Sequence, residues 1–101
     1  MDRRDLKRYP PRSAIQFHLL DSPQKLVGRV VDISDSGVRL VIWTRLEKKQ
    51  KIVINSPHFF ARGIVVWVRR TRRYLLPCYE AGIKFSEFLV RDRAIVVHRS
   101  A

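Results

Sequence analysis

Apolar and polar residues alternate along much of this chain with the two-residue period of strands that bury one face. Ile15, Phe17 and Leu19 are separated by Gln16 and His18. Asp21-Ser22-Pro23-Gln24 follows as a turn, built from residues that bond their own backbone or fix its dihedrals. Residues 27–33 read as a second strand, and Asp35-Ser36-Gly37 folds it into a third, 38–43. Residues 45–51 are polar and read as a loop; a short strand, 52–54, comes next and is broken by Asn55-Ser56-Pro57. Residues 61–70 form the longest strand, with Ile64, Val66 and Val68 on one face and Val65 and Trp67 on the other. Thr71-Arg72-Arg73 reads as a hairpin connection to a last strand, 78–85. Six short strands with turn punctuation predict an all-β antiparallel barrel or sandwich.

The two ends of the chain are patterned differently. Residues 1–12 are charged and carry Pro10-Pro11, which continues neither a helix nor a central strand, so they read as a flexible N-terminal arm. Residues 13–101 are then one domain. Ser86 offers the start of a short C-terminal helix whose Phe88, Leu89, Ile95 and Val96 would cover a barrel mouth, although the β-branched run Ile95-Val96-Val97 opposes it.

A chain of 101 residues holds one modest core, and its 46% hydrophobic content argues against disorder. No apolar stretch approaches the roughly 20 residues of a membrane span, and Met-Asp-Arg-Arg is not followed by the apolar segment of a secretory signal. Cys78 is the only cysteine, so no internal disulfide forms, which fits a reducing cytosol. A cytoplasmic protein is expected. Lys and Arg number 21 against 9 acids, a net charge of +12 that attracts phosphates, nucleic acid or an anionic membrane surface without choosing among them. Solvated side chains on outward strand faces account for that charge equally well.

Two short motifs narrow the choice. Arg4 and Arg8, with Arg3 adjoining, are four residues apart and project to one side whether the arm is extended or helical. An arginine fork meets guanine O6 and N7 together, and suits a phosphate as well. In Asp32-Ile33-Ser34-Asp35-Ser36-Gly37, the Asp32 carboxylate can accept from guanine N1–H and N2–H. Ser34 lies on the same strand face and can bond a phosphate or base edge, while Gly37 permits a positive φ and a close backbone approach. Taken singly, the second motif is an ordinary turn and the first a solvated basic terminus. Their joint occurrence, in this strand order, favours a shared ligand.

The pair resembles the signature of the PilZ domain, the bacterial receptor for cyclic di-GMP. That family has an Arg-x-x-x-Arg arm before its first strand, matched by Arg4 and Arg8, and an Asp/Asn-x-Ser-x-x-Gly turn after its second, matched by Asp32, Ser34 and Gly37. Residues 63–69 look like its long strand and Gly82-Ile83-Lys84-Phe85 like its closing strand. The resemblance implies a small six-stranded antiparallel β-barrel. It implies that Arg4 and Arg8 grip guanine edges and phosphates, with Arg3 adding a phosphate contact, that Asp32 and Ser34 hold a base, and that Gly37 shapes the turn. Arg8 and Arg12 form a second pair in overlapping register; Pro10-Pro11 stiffens that segment, which favours Arg4 and Arg8. Ligand would order the arm onto the barrel and create a surface for an effector protein, with no cofactor required.

A single-stranded nucleic-acid-binding barrel is the alternative. Residues 67–74 and Lys48-Lys49-Gln50-Lys51 supply charge and aromatics, although Trp67 reads better as a barrel-core residue and residues 69–73 as a solvated tip. An enzyme is not expected: His18, His58 and His98 lack metal-ligand spacing, and Cys78 has no His or Asp nearby in sequence.

Overall fold

The computed structural model describes residues 13–73 and 76–91, with Arg73 by its backbone only. Six strands run in chain order: β1 (Ala14–Leu19), β2 (Leu26–Ile33), β3 (Gly37–Ile42), β4 (Lys51–Asn55), β5 (Phe59–Arg73) and β6 (Leu76–Val90). They close into a barrel in the order β1-β2-β3-β6-β5-β4, and antiparallel pairing of β1 with β4 (Phe17 opposite Ile54) seals the ring. Every pairing is antiparallel. Among the described residues no helix is long and apolar enough to cross a membrane.

The alternation that forms the strands also fills the barrel. Ile15 and Phe17 from β1, Val30 and Ile33 from β2, and Leu40 and Ile42 from β3 point inward; Ile52 and Ile54 of β4 meet Val65, Ala81 and Ile83 across the core. One end of the barrel, the turn end, holds residues 34–36 and the start of β1. The opposite, loop end is crossed by residues 43–50, and Leu46 (2% exposed) is driven into the core there as a plug. At the turn end the mouth is covered by Phe88, stacked on Phe85 (centroids 5.3 Å apart) and tilted against Phe59 (5.4 Å).

Phe88 therefore covers a mouth, but from a strand. The expected helix opened by Ser86 is absent from the described part of the tail, because β6 continues through Val90, pairing Leu89 with Phe60 and Val90 with Phe59. Ser86 is instead the extra residue of a bulge, its hydroxyl donating to the Arg62 carbonyl at 3.3 Å. Leu89 stays 56% exposed, and Ile95 and Val96 lie outside the described residues. The connection expected at residues 71–73 is likewise strand: pairing runs on to Arg73 opposite Leu76, so the β5–β6 hairpin projects past the ends of β3 and β4.

A second bulge decides which way Trp67 faces. Val65 opposes Ile83 and Trp67 opposes Gly82, leaving Val66 as the extra residue. Val65 and Val68 both turn inward as a result, and Trp67 turns outward with Gly82, which sits between the core residues Ala81 and Ile83. The expected grouping of Val66 with Val68, and of Trp67 with the core, is thus corrected by one inserted residue.

Candidate functional site

The outer face of β2, β3, β6 and β5 carries two cross-strand rows. In the first, Asp32 opposes Arg39, Arg39 opposes Gly82, and Gly82 opposes Trp67. In the second, Arg29 opposes Val41, Val41 opposes Glu80, and Glu80 opposes Arg69. Directly opposite residues in a ladder share a face, so acids and guanidinium groups from four strands meet on one surface.

Their contacts form a chain of alternating charge. Arg39 donates from Nε to Asp32 Oδ2 at 3.0 Å and from Nη2 to the same oxygen, which leaves Oδ1 for another donor. Its Nη1 lies 3.5 Å from Glu80 Oε2, and Arg69 Nη2 donates to Glu80 Oε1 at 3.0 Å. Asp32 is half exposed, whereas only 3% of the Glu80 side chain is. Glu80 is the anchor: a desolvated carboxylate is tolerated because guanidinium groups satisfy it. The Asp32 hydrogen bond raises the Arg39 pKa above its ordinary value, against a lowering by partial burial, so this guanidinium stays charged.

Beside this chain lies an aromatic surface. A Cβ on Gly82 would stand 2.2 Å from Trp67 Nε1, so the indole occupies the space that the missing side chain leaves. Arg69 lies over the same ring, its Cζ 5.7 Å from the centroid. With strands about 4.8 Å apart, Asp32 and Trp67 bound a face about 14 Å wide.

The Asp32-to-Gly37 turn flanks the first row. Ile33 is buried, which puts Asp32 and Ser34 on the same outward side. Ser34 N–H donates to the Gly37 carbonyl at 2.9 Å, Ser36 N–H donates to Ser34 Oγ at 3.2 Å, and Phe85 N–H ties the turn to β6 through the Ser36 carbonyl at 2.9 Å. Gly37 does not take the expected positive φ. Its need is steric: a Cβ would lie 2.4 Å from the Ile83 carbonyl oxygen of the adjacent strand. Arg3, Arg4 and Arg8, and Arg12 with them, lie outside the described residues. The chain joins the barrel at Ser13, whose carbonyl accepts from Val30 N–H at 2.9 Å, two residues before Asp32 in β2.

Arg39 and Glu80 escaped the sequence reading, as did the outward placing of Trp67. Arg39 between Val38 and Leu40 is an outward strand position, and Glu80 is an acid within the apolar run of the closing strand. Both were visible, but a bulge between Val30 and Asp32 sets which residue Arg39 faces. Among the described residues no three His, Cys, Asp or Glu side chains converge as a metal site.

Comparison with curated proteins and with solved structures returns no match. A family model described as PilZ domain matches residues 2–99, nearly the whole chain, and that family is known for binding cyclic di-GMP rather than for catalysis. The closed six-stranded barrel, the Asp32–Gly37 turn and this match agree: the chain belongs to the PilZ domain family.

Proposed function

We propose that this protein is a cytoplasmic receptor for cyclic di-GMP, binding it between the N-terminal arm and the outer face around Asp32. The observation that carries the reading is the place where the chain joins the barrel. Ser13 bonds Val30, beside the strand that presents Asp32, so the arm arrives at the turn end. Arg8 is five residues before Ser13, a span of at most about 17 Å, which brings its guanidinium within range of a ligand held there.

Guanine N1–H and N2–H approach the Asp32 carboxylate. Arg39 shifts its share of that carboxylate toward Glu80, already 3.5 Å away, and keeps a partner throughout. Arg4 and Arg8 supply paired donors to O6 and N7 or to phosphate, Arg3 adds a phosphate contact, and Ser34 offers a hydroxyl. Trp67 supplies an aromatic surface at the far side. Binding orders the arm, and the ordered arm presents a new surface to an effector protein.

Titration calorimetry with cyclic di-GMP tests this. The unmodified chain binds; Asp32→Ala and Arg8→Ala each weaken binding by about tenfold or more, equivalent to about 1.4 kcal/mol or more per charge-assisted contact. Absence of binding by the unmodified chain overturns the reading. Loss with Arg12→Ala but not with Arg4→Ala moves the register to Arg8 and Arg12. Trypsin cleavage after Arg3, Arg4, Lys7 and Arg8 slows when ligand is added; equal cleavage in both conditions removes the switch.

A further inference from the structure

At the loop end, two basic segments distant in sequence face each other across a cleft of about 550 Å³. The β3–β4 loop contributes Arg45 and Lys48, with the acid Glu47 between them, and the projecting β5–β6 hairpin contributes Arg70, all exposed, while Arg69 borders the cleft from the outer surface, where it is bonded to Glu80. The floor between them is apolar and aromatic. Leu46 is the buried plug, while Val68 and Tyr79 are half-buried and packed on the core. Register explains the shape: Val68 opposite Ala81 and Arg70 opposite Tyr79 line the inner surface of the hairpin, beyond Ile64, where pairing with β4 stops.

The loop is held rather than loose. Lys49 N–H donates to the Val65 carbonyl at 2.7 Å, Val65 N–H to the Gln50 carbonyl at 2.9 Å, and Glu47 N–H to Gln50 Oε1 at 2.8 Å. Lys49 takes a left-handed φ of 75° to close it. Arg45 and Lys48 are therefore offered from a fixed backbone opposite a fixed hairpin. Along β6, Tyr79 lies five residues from Lys84, the partner of Gly37, or about 17 Å, and on the inner rather than the outer surface. This is a different place from the Asp32 face.

We propose that this cleft is a second binding site, which takes a nucleotide unit of a single-stranded nucleic acid, its base against Leu46, Val68 and Tyr79 and its phosphates on the cationic rim. An acidic peptide would need only the cations. A recessed floor with the Tyr79 ring in it, rimmed by Arg45, Lys48 and Arg70, matches instead the alternation of flat base and phosphodiester. A bilayer surface would meet protruding rather than recessed apolar groups. The net charge of +12 adds long-range attraction for a polyanion.

Fluorescence anisotropy of short labelled oligothymidylate and oligouridylate with the full chain tests the proposal. Binding is expected to fall with salt at a log–log slope of about −2 to −3, as for three to four released counterions on a single strand. Arg70→Glu, and Arg45→Glu with Lys48→Glu, weaken it by about tenfold or more. Lys84→Glu, an equal charge reversal at the turn end, changes it by less than about threefold, as does Asp32→Ala. Circular dichroism verifies that each variant is folded. Four results overturn the proposal: no binding at low salt, equal weakening by Lys84→Glu, tighter binding of duplex than of single strand, or displacement by polyglutamate as effective as by unlabelled oligonucleotide. Displacement of the oligonucleotide by cyclic di-GMP also overturns it, by placing both ligands on one face. The first four outcomes do not depend on whether the Asp32 face binds a cyclic dinucleotide.

Discussion

Two glycines in this barrel are set by what lies across from them. At Gly37 the obstacle to a side chain is the Ile83 backbone carbonyl, 2.4 Å from a hypothetical Cβ; at Gly82 it is the Trp67 indole, at 2.2 Å. An indole can swing out and a ladder carbonyl cannot. Gly82→Ala is expected to cost about 1–2 kcal/mol, and Gly37→Ala more, up to about 3 kcal/mol, by urea denaturation. Trp67→Ala combined with Gly82→Ala should cost less than the two separate losses added, because the first removes the clash that the second creates. Glu80 presents a third case. Glu80→Ala withdraws the buried acceptor for Arg69 and a close partner of Arg39, and is expected to lower stability by about 1–3 kcal/mol. The same variant should weaken cyclic di-GMP binding in calorimetry, since Arg39 then has Asp32 alone to hold.

At the scale of the strand, Val66 is the residue that shifts the alternation by one. It is 40% exposed, so Val66→Thr should change stability by no more than about 0.5 kcal/mol. Deleting Val66 removes the bulge yet keeps Val65 opposite Ile83, Trp67 opposite Gly82 and Val68 opposite Ala81, so regular alternation holds both faces. The deletion is expected to leave a cooperative urea transition, followed by tryptophan fluorescence, with a loss of no more than about 2 kcal/mol. The same residue marks where the sequence stopped being legible. β1 to β4 could be read from alternation and turn residues, because their register is nearly regular, although Val41 and Val53 are buried out of phase. Past Gly63 the period is interrupted by inserted residues that composition does not reveal, and Trp67 was assigned to the wrong side. Phe88 was legible as the cover of a barrel mouth, since a large apolar residue near a chain end needs a site to bury in. That it arrives in a strand follows from pairing with Ala61, a contact between distant segments. Asp32, Ser34 and Gly37 were legible as one turn because they are neighbours in sequence; the link from Asp32 through Arg39 to Glu80 spans three strands and needed the closed sheet.

For the whole molecule, ligand linkage offers a global readout. At a concentration of one hundred times Kd, cyclic di-GMP should add about 2.7 kcal/mol of stability, which for a domain of this size is roughly 10–20 °C in Tm. Asp32→Ala should remove most of that shift in differential scanning fluorimetry while leaving the unliganded Tm nearly unchanged, its ion pair with Arg39 being a surface one. The β5–β6 hairpin, finally, has a bearing on solubility. Pairing of β1 with β4 eliminates edges from the ring, yet past Ile64 and before Tyr79 the hairpin has no further ladder neighbour among the described strands. Such exposed rims invite other copies to add on as extra strands. Arg70 stands there as a gatekeeper whose charge keeps copies apart. Replacing it with Thr should leave the barrel folded and produce concentration-dependent assembly, visible by light scattering.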